Sequence, residues 1–190
     1  RGLGDVYKRQ HIQVLFNGLT KFGLDMNHLK VSMIVLDDSH ACVEAIRSST
    51  KFGITKQNSE TIYRDLFNLF KNDLKKQGEG TFIDLESGSD FALLPVPYWS
   101  WKNKISEVTK ILGKGNELDE IKFVWSILKD GLENCDCYVS NKKIEIIPYQ
   151  IPVSKFGSFN QADNRVFMSA TTNDDSILIK DLGLSLSSIK

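Results

Sequence analysis

The stretch VSMIVLDDSHAC, residues 31–42, decides the reading of this chain. Residues 31–36 form a continuous run, apolar but for Ser32 and largely β-branched and aliphatic. A run without polar alternation predicts a strand covered on both faces, as in a parallel sheet. It stops at Asp37, Asp38 and His40, and ACVEAIRSS, 41–49, predicts a helix immediately afterwards. In an open parallel sheet, ligands collect at the carboxyl ends of the strands. Carboxylates placed there suit Mg²⁺, a hard cation that takes oxygen ligands and keeps several waters. Magnesium held in this way usually serves a nucleotide phosphate. A plainer reading is open beside it, in which Asp37 and Asp38 cap the following helix.

Upstream, IQVLF, 12–16, reads as a short strand, and 17–30 as a loop with Asn17-Gly18 as its turn signal. Downstream, the character changes. Residues 59–76 place Ile62, Leu66, Leu69, Phe70 and Leu74 near helical spacing, and Ser59-Glu60 suits a capped first turn. QGEGTF ends that helix, and FALLPVP, 91–97, is an apolar run broken by prolines. Helices are predicted over 101–113, closing on Gly113, and over 117–135. Residues 137–149 read as a hairpin around Asn141. The first pattern then returns, with NRVFMSAT, 164–171, as a strand, TNDDS as a helix start, and 177–183 as a short helix stopped by Gly183. The order is strand–helix, a mostly helical middle, then strand–helix, which predicts an α/β core carrying an insertion.

The totals suit one sizeable domain or a domain with an insertion, at 190 residues, 41% apolar and 25% charged. Lys+Arg and Asp+Glu are both 24, so bulk charge does not announce a nucleic-acid binder. Three cysteines, with no stretch that reads as a secretory signal or membrane span, fit a reduced, cytoplasmic setting. RGLGDVYKRQ, 1–10, resembles a translated sequencing-adaptor junction and is set aside from fold reasoning. On that expectation the chain is a fragment.

DDSH at 37–40 and SAT at 169–171, each ending an apolar strand, together resemble motifs II and III of the DEAD/DEAH-box helicases of superfamily two. The long middle segment, VPYW, and IEIIPYQIP ahead of SAT resemble a bacterial group with an enlarged first RecA-like domain. The resemblance implies a partial RecA-like parallel sheet, residues 11–50 and 163–190, interrupted by a helical insertion, 51–162, with a small hairpin. It implies ATP and Mg²⁺ as cofactors and DNA or RNA as partner, with a protein partner for the insertion and no membrane. Asp37 would hold Mg²⁺, and Asp38 would stand where the family has the Glu that positions the attacking water. His40 would hydrogen-bond toward Ser169 and Thr171, with Ala170 between them, and couple nucleotide state to nucleic-acid grip.

Two departures are visible. Asp38 is one methylene shorter than Glu, setting its carboxylate back about 1.5 Å, and errors of roughly 1 Å can cost on the order of a hundredfold in rate. The separation of His40 from Ser169 far exceeds the family's usual one, which the insertion explains at small entropic cost. No G-x-x-x-x-G-K-[ST] phosphate loop is present, so this chain alone is not expected to hydrolyse ATP.

FNGLTKFG, 16–23, lies where the family has a nucleic-acid-contacting loop. Asn17, Gly18, Thr20 and Lys21 are its candidate phosphate contacts, against an ordinary turn. PYWSWKNK, 97–104, mixes aromatics with lysines, which suits either base stacking or simple anchoring through Trp99 and Trp101. Cys135 and Cys137 would face one side of a strand, but zinc needs about four ligands and none is at supportive spacing. Two other functions stay in view. One is a degenerate, non-hydrolysing helicase-like binding module. The other is a receiver-like signalling domain with Asp84 as phosphoacceptor.

Overall fold

A computed structural model of the chain describes residues 12, 14–24, 28–169, 176–185 and 187. In chain order the elements are β1 (Met33–Leu36), α1 (Ser39–Ser49), β2 (Phe52–Thr55), α2 (Glu60–Gln77), α3 (Glu79–Glu86), β3 (Leu93–Pro95) and α4 (Tyr98–Asn103). There follow α5 (Ile105–Lys114), α6 (Asp119–Leu128), β4 (Cys135–Ser140), β5 (Lys143–Pro148), α7 (Gly157–Asn160), β6 (Asn164–Phe167) and α8 (Ser176–Leu182). The chain is α/β, with one small parallel sheet and one antiparallel sheet. It divides into two compact units. One comprises the described residues up to Thr50 and from Gln150 onward, and the other is Lys51–Tyr149.

The first unit is built on β1 and β6, which pair in parallel with Met33 opposite Asn164 and Leu36 opposite Phe167. Burial along β1 alternates. Ile34 and Leu36 are buried, whereas Met33 and Val35 are about half exposed. The expected two-sided cover is therefore corrected: side chains alternate across a strand, and among the described residues only the Ile34 and Leu36 face is covered. Under that face, Phe16, Phe156 and Phe159 form a ring cluster with centroids 5.0 and 4.9 Å from Phe16, and Phe167 of β6 meets Phe159 edge-on. This packing places 150–162 in the first unit, although the sequence groups that segment with the insertion.

In the predicted strand at 12–16, the described residues, 12 and 14–16, form a helical turn instead, closed by Phe16 N–H on the Ile12 carbonyl at 2.9 Å. Ile12 and Phe16, four apart, are both buried while Val14 is exposed, which is helical and not strand spacing. The following loop docks on α7. Gly157 N–H donates to the Gly23 carbonyl at 3.0 Å, and Ser158 Oγ–H donates to the Leu29 carbonyl at 2.6 Å. Gly23 is required by this fit, since a Cβ there would lie 2.5 Å from the Asn17 carbonyl oxygen.

The second unit is a four-stranded antiparallel sheet in the order β2-β5-β4-β3. The predicted hairpin is its centre, with Cys137 opposite Ile146 and Val139 opposite Ile144. The insertion is thus more than a helical segment with a small hairpin, since β2 and β3 extend that hairpin on both sides. Phe52, Ile54, Ile144, Ile146, Val139 and Leu94 are all buried. Helix α2 supplies Ile62, Leu66, Phe70 and Leu74 at the predicted spacing, and all four are buried. The region predicted as one helix from 101 is two, α4 and α5, broken at Lys104. The helix predicted to reach 135 stops at Leu128. Gly131 follows it with φ −145° and ψ 21°, outside helical geometry, and Cys135 already begins β4.

Two carboxylates pin this unit. Glu120 of α6 accepts from Thr55 N–H at 3.1 Å, Thr55 Oγ1 at 2.6 Å, Asn58 Nδ2 at 3.1 Å and Ser59 Oγ at 2.6 Å. Ser59 occupies the N-cap position of α2, as predicted, yet its hydroxyl serves Glu120 and not the helix. Asp73 of α2 accepts from buried Ser100 and from Lys104, both at 2.6 Å. Lys104 also donates to the Leu69 carbonyl at 2.8 Å. Those two hydrogen bonds, Lys104's first, hold the Asp73 carboxyl below its usual range. Burial pushes the Glu120 carboxyl up, but the bonds from Ser59, Thr55 and Asn58 outweigh it, so it too is lowered.

A carboxyl with a depressed folded value stabilises the fold above its unfolded value, near 4.3 for Glu. That stability is lost as pH falls through the folded value. Glu120→Gln is therefore expected to lower stability at neutral pH by about 2 kcal/mol and to flatten the acid limb of the stability curve. Urea unfolding of both proteins at pH 7 and pH 4 checks this. A Gln variant with an unaltered acid limb would rule out the Glu120 clamp.

Candidate functional site

The parallel pairing of β1 and β6 brings their carboxyl ends side by side. The hydrogen-bond ladder runs on past the strands. Met168 N–H donates to the Leu36 carbonyl at 2.9 Å, and Ser39 N–H donates to the Met168 carbonyl at 2.8 Å. Asp37 and Asp38 lie between these two bonds, and Ser169 follows Met168 directly. Asp37 and Asp38 are exposed, His40 and Ser169 are half-buried, and Ser39 is buried. Ala170 and Thr171 lie outside the described residues.

Asp38 is the N-cap of α1. Its φ of 54° and ψ of 64° make it left-handed, and its Oδ1 accepts from Ala41 N–H at 3.5 Å. Its carbonyl accepts the first helical bond, from Cys42 N–H at 3.0 Å. The Cys42 thiol donates to the Asp37 carbonyl at 3.3 Å. Capping, the plainer reading of the acidic pair, thus describes Asp38. The left-handed turn also supplies a physical reason for an Asp at this position. Short polar Asp and Asn enter this region several-fold more readily than other non-glycine residues, because their side chains bond locally. The Ser39 hydroxyl, at the first helical position, has no hydrogen-bond partner among the described residues, and buried polar groups are rarely left so.

One further contact braces this edge. Arg47 in the last turn of α1 pairs with Asp181 of α8, and Asp181 is only 3% exposed. It ties the helix after β1 to the helix after β6. No local pattern in the sequence announces a pair 134 positions apart; only placing both strand–helix units in one sheet could have suggested it.

The candidate nucleic-acid loop is occupied with its own geometry. Asn17 Oδ1 accepts from Leu19 N–H at 2.9 Å, and Thr20 Oγ1 donates to the Val14 carbonyl at 2.6 Å. Gly18 lies half-buried inside this turn, and Lys21 is exposed. Trp101 is buried, stacked on Phe70 at 5.8 Å and bonded through Nε1 to the Leu132 carbonyl, whereas Trp99 is exposed. Cys135 and Cys137 share one buried face. Burial first, then Cys135 and Asp136, push the Cys137 thiol far up, so it stays protonated and inert. Asp84 lies within the helix α3 and not on a strand.

Among the described residues, no group of three or more His, Cys, Asp and Glu is placed to hold a metal ion. No helix among them is long and apolar enough to cross a membrane. No protein family, curated protein or solved structure matches the chain.

The cap geometry makes a prediction. Asp38→Asn keeps both the left-handed turn and the acceptor, and should leave the melting temperature nearly unchanged. Asp38→Ala loses the cap and keeps the strain, and should cost about 1 kcal/mol. Asp38→Gly relieves the backbone and should cost less than Ala. Thermal melts of the three variants check the order, and a variant set in which Gly is the worst would contradict the left-handed cap.

Proposed function

We propose that the β1–β6 edge is the motif II–motif III edge of a helicase-like ATPase core of RecA-like type. In this reading the chain is a part of a protein that couples nucleoside-triphosphate hydrolysis to movement on DNA or RNA. One observation carries it. DDSH and Ser169 end adjacent parallel strands, joined by the Ser39–Met168 and Met168–Leu36 backbone bonds. DDSH and Ser169, far apart in sequence, are thereby neighbours at the kind of edge where α/β sheets bind ligands, which supports reading them as a coupled pair.

One residue of this edge, Asp37, could give a magnesium–nucleotide site a single ligand, with the others coming from outside the described residues. Asp37, exposed at the strand end, is a hard oxygen donor of the kind that holds Mg²⁺ through water. Bound there, the metal would neutralise charge on nucleotide phosphates. The Ser39 hydroxyl, which has no hydrogen-bond partner among the described residues, supports a polar group or water beside it. His40 is the second residue of α1, one position after Ser39, whose N–H bonds the Met168 carbonyl. Asp38, spent on the cap, is poorly placed to activate water as well. That favours slow hydrolysis, or the second reading of a binding module that does not hydrolyse. This chain has no phosphate loop, so its own contribution is the carboxylate edge.

Manganese substitutes for magnesium and broadens nearby NMR signals. Titrating Mn²⁺ with ATP into the chain is expected to broaden the amides of Asp37, Asp38 and Ser169 first. Asp37→Asn should abolish that selectivity while leaving the remaining spectrum in place. Broadening that begins elsewhere, or that survives in Asp37→Asn, would remove the proposal's basis.

A further inference from the structure

We propose that Asn17–Gly18 is a site of covalent self-modification, at which the folded chain converts Asn17 to an isoaspartyl or aspartyl residue with water as co-reactant. The inference is independent of the ATPase reading, because it rests on the loop that docks on α7 and not on the β1–β6 edge.

The sequence supplies the reacting pair. Asn17–Gly18 is the chain's one Asn–Gly pair. Glycine has no Cβ to shield its backbone nitrogen, so that nitrogen can approach the neighbouring side-chain amide closely. Two groups held in one short segment need no diffusional encounter to react. The fold then arranges the groups that take part. Leu19 N–H donates to Asn17 Oδ1 at 2.9 Å. That bond holds the side chain over its own turn and sets a donor where negative charge develops as the amide carbon is attacked. Among the described residues, no hydrogen bond engages the Gly18 N–H, the attacking group, or Asn17 Nδ2, the leaving group. Both residues are half-buried and keep part of their surface in water.

The fold withholds these conditions from the chain's comparable pairs. At Asn58–Ser59, the Ser59 N–H donates to the Thr55 carbonyl at 3.0 Å and Asn58 Nδ2 donates to Glu120 at 3.1 Å. At Asp130–Gly131, the Gly131 N–H donates to the Leu128 carbonyl at 2.9 Å. At Asp38–Ser39, the Ser39 N–H donates to the Met168 carbonyl at 2.8 Å. In each, the nitrogen that would attack is already bonded, and freeing it costs a hydrogen bond.

In the reaction, the Gly18 nitrogen gives up its proton and bonds Asn17 Cγ. The Cγ–Nδ2 bond breaks, and the proton departs with that nitrogen as ammonia, leaving a cyclic imide. Water then opens the ring, and nothing is oxidised or reduced. Opening at Cγ gives aspartate on an unchanged backbone. Opening at the main-chain carbonyl gives isoaspartate, whose backbone runs through Cγ and is one methylene longer. That longer path falls in a crowded place. The Asn17 main-chain carbonyl accepts from Thr20 N–H at 3.4 Å and Thr20 Oγ1 at 3.3 Å. Gly23 backs onto it so closely that a Cβ there would lie 2.5 Å away. The Gly23 and Phe22 carbonyls in turn accept from Gly157 N–H at 3.0 Å and Ser158 N–H at 3.3 Å. Isoaspartate therefore releases the loop from α7, whereas aspartate leaves it docked.

The test ages the full chain at mildly alkaline pH, folded and in urea, and maps it by peptide mass spectrometry. Asn17 should show the mass change of amide-to-acid conversion. Its rate relative to Asn58 should be about tenfold higher in the folded chain than in urea, because folding ties down the Ser59 N–H and not the Gly18 N–H. The isoaspartyl form, separated by chromatography, should exchange its Gly157 and Ser158 amides faster than the unmodified chain, and Asn17→Asp should not. The proposal is overturned if Asn17 persists in the folded chain while reacting in urea, or if the ratio to Asn58 fails to rise on folding. Unchanged protection of Gly157 and Ser158 in the isoaspartyl form would overturn the release of the loop.

Discussion

Everything argued for the first unit depends on a parallel pairing between two short strands far apart in the chain. Parallel strands cannot be joined by a tight turn and need a crossover connection. Here that connection includes α1, the whole of Lys51–Tyr149 and the segment through α7. Loop-closure entropy rises only slowly with length, so the pairing tolerates such a long excursion. Local contacts then hold it in register, with Phe167 against Phe159 on the packed face and Arg47 paired with buried Asp181 between the flanking helices. Without that pairing, Asp37 and Ser169 have no reason to meet.

The second unit solves a different problem. Its sheet begins with β2, and β2 pairs with β5 near the unit's other end, so the two places where the chain enters and leaves it are neighbours. A unit closed in this way can interrupt another without distorting it. Hydrophobic cover comes from α2 and its neighbours, but the joints are polar. Glu120 ties the β2–α2 turn to α6, and Asp73 ties α2 to α4 and to Lys104. Each carboxylate is shared among several donors, which is how partly buried charge becomes favourable to bury.

Much of this was legible in the sequence, and the rest failed for identifiable reasons. The strand ending at Leu36, the helix after it, the amphipathic α2 and the Asn141 hairpin all carry local signals, and they stand where those signals put them. The turn at Ile12–Phe16 was misread because five residues fit either period, and only the burial of both ends distinguishes them. The ends of α4 and α6 are not legible because helical propensity persists through Lys104 and Lys129, while the backbone leaves helical geometry at Lys104 and at Gly131. Glu120, Asp73 and Asp181 could not have been found, since their partners lie far along the chain and solvated acids look the same in sequence. In the candidate site the acidic pair was visible, but the left-handed Asp38 was not. Its conformation is set by the turn that returns the chain from β1 into α1.

The hydrogen bonds that join the two strand ends can be observed directly. Scalar couplings across hydrogen bonds, recorded by NMR on the labelled chain, should connect the Met168 nitrogen to the Leu36 carbonyl carbon and the Ser39 nitrogen to that of Met168. Their presence would place Asp37, Asp38 and Ser169 on one edge, as the account requires. Absence of both, with Ser39 and Met168 amides exchanging freely with water, would show that the two strands do not pair and that the acidic cluster and Ser169 form no common site.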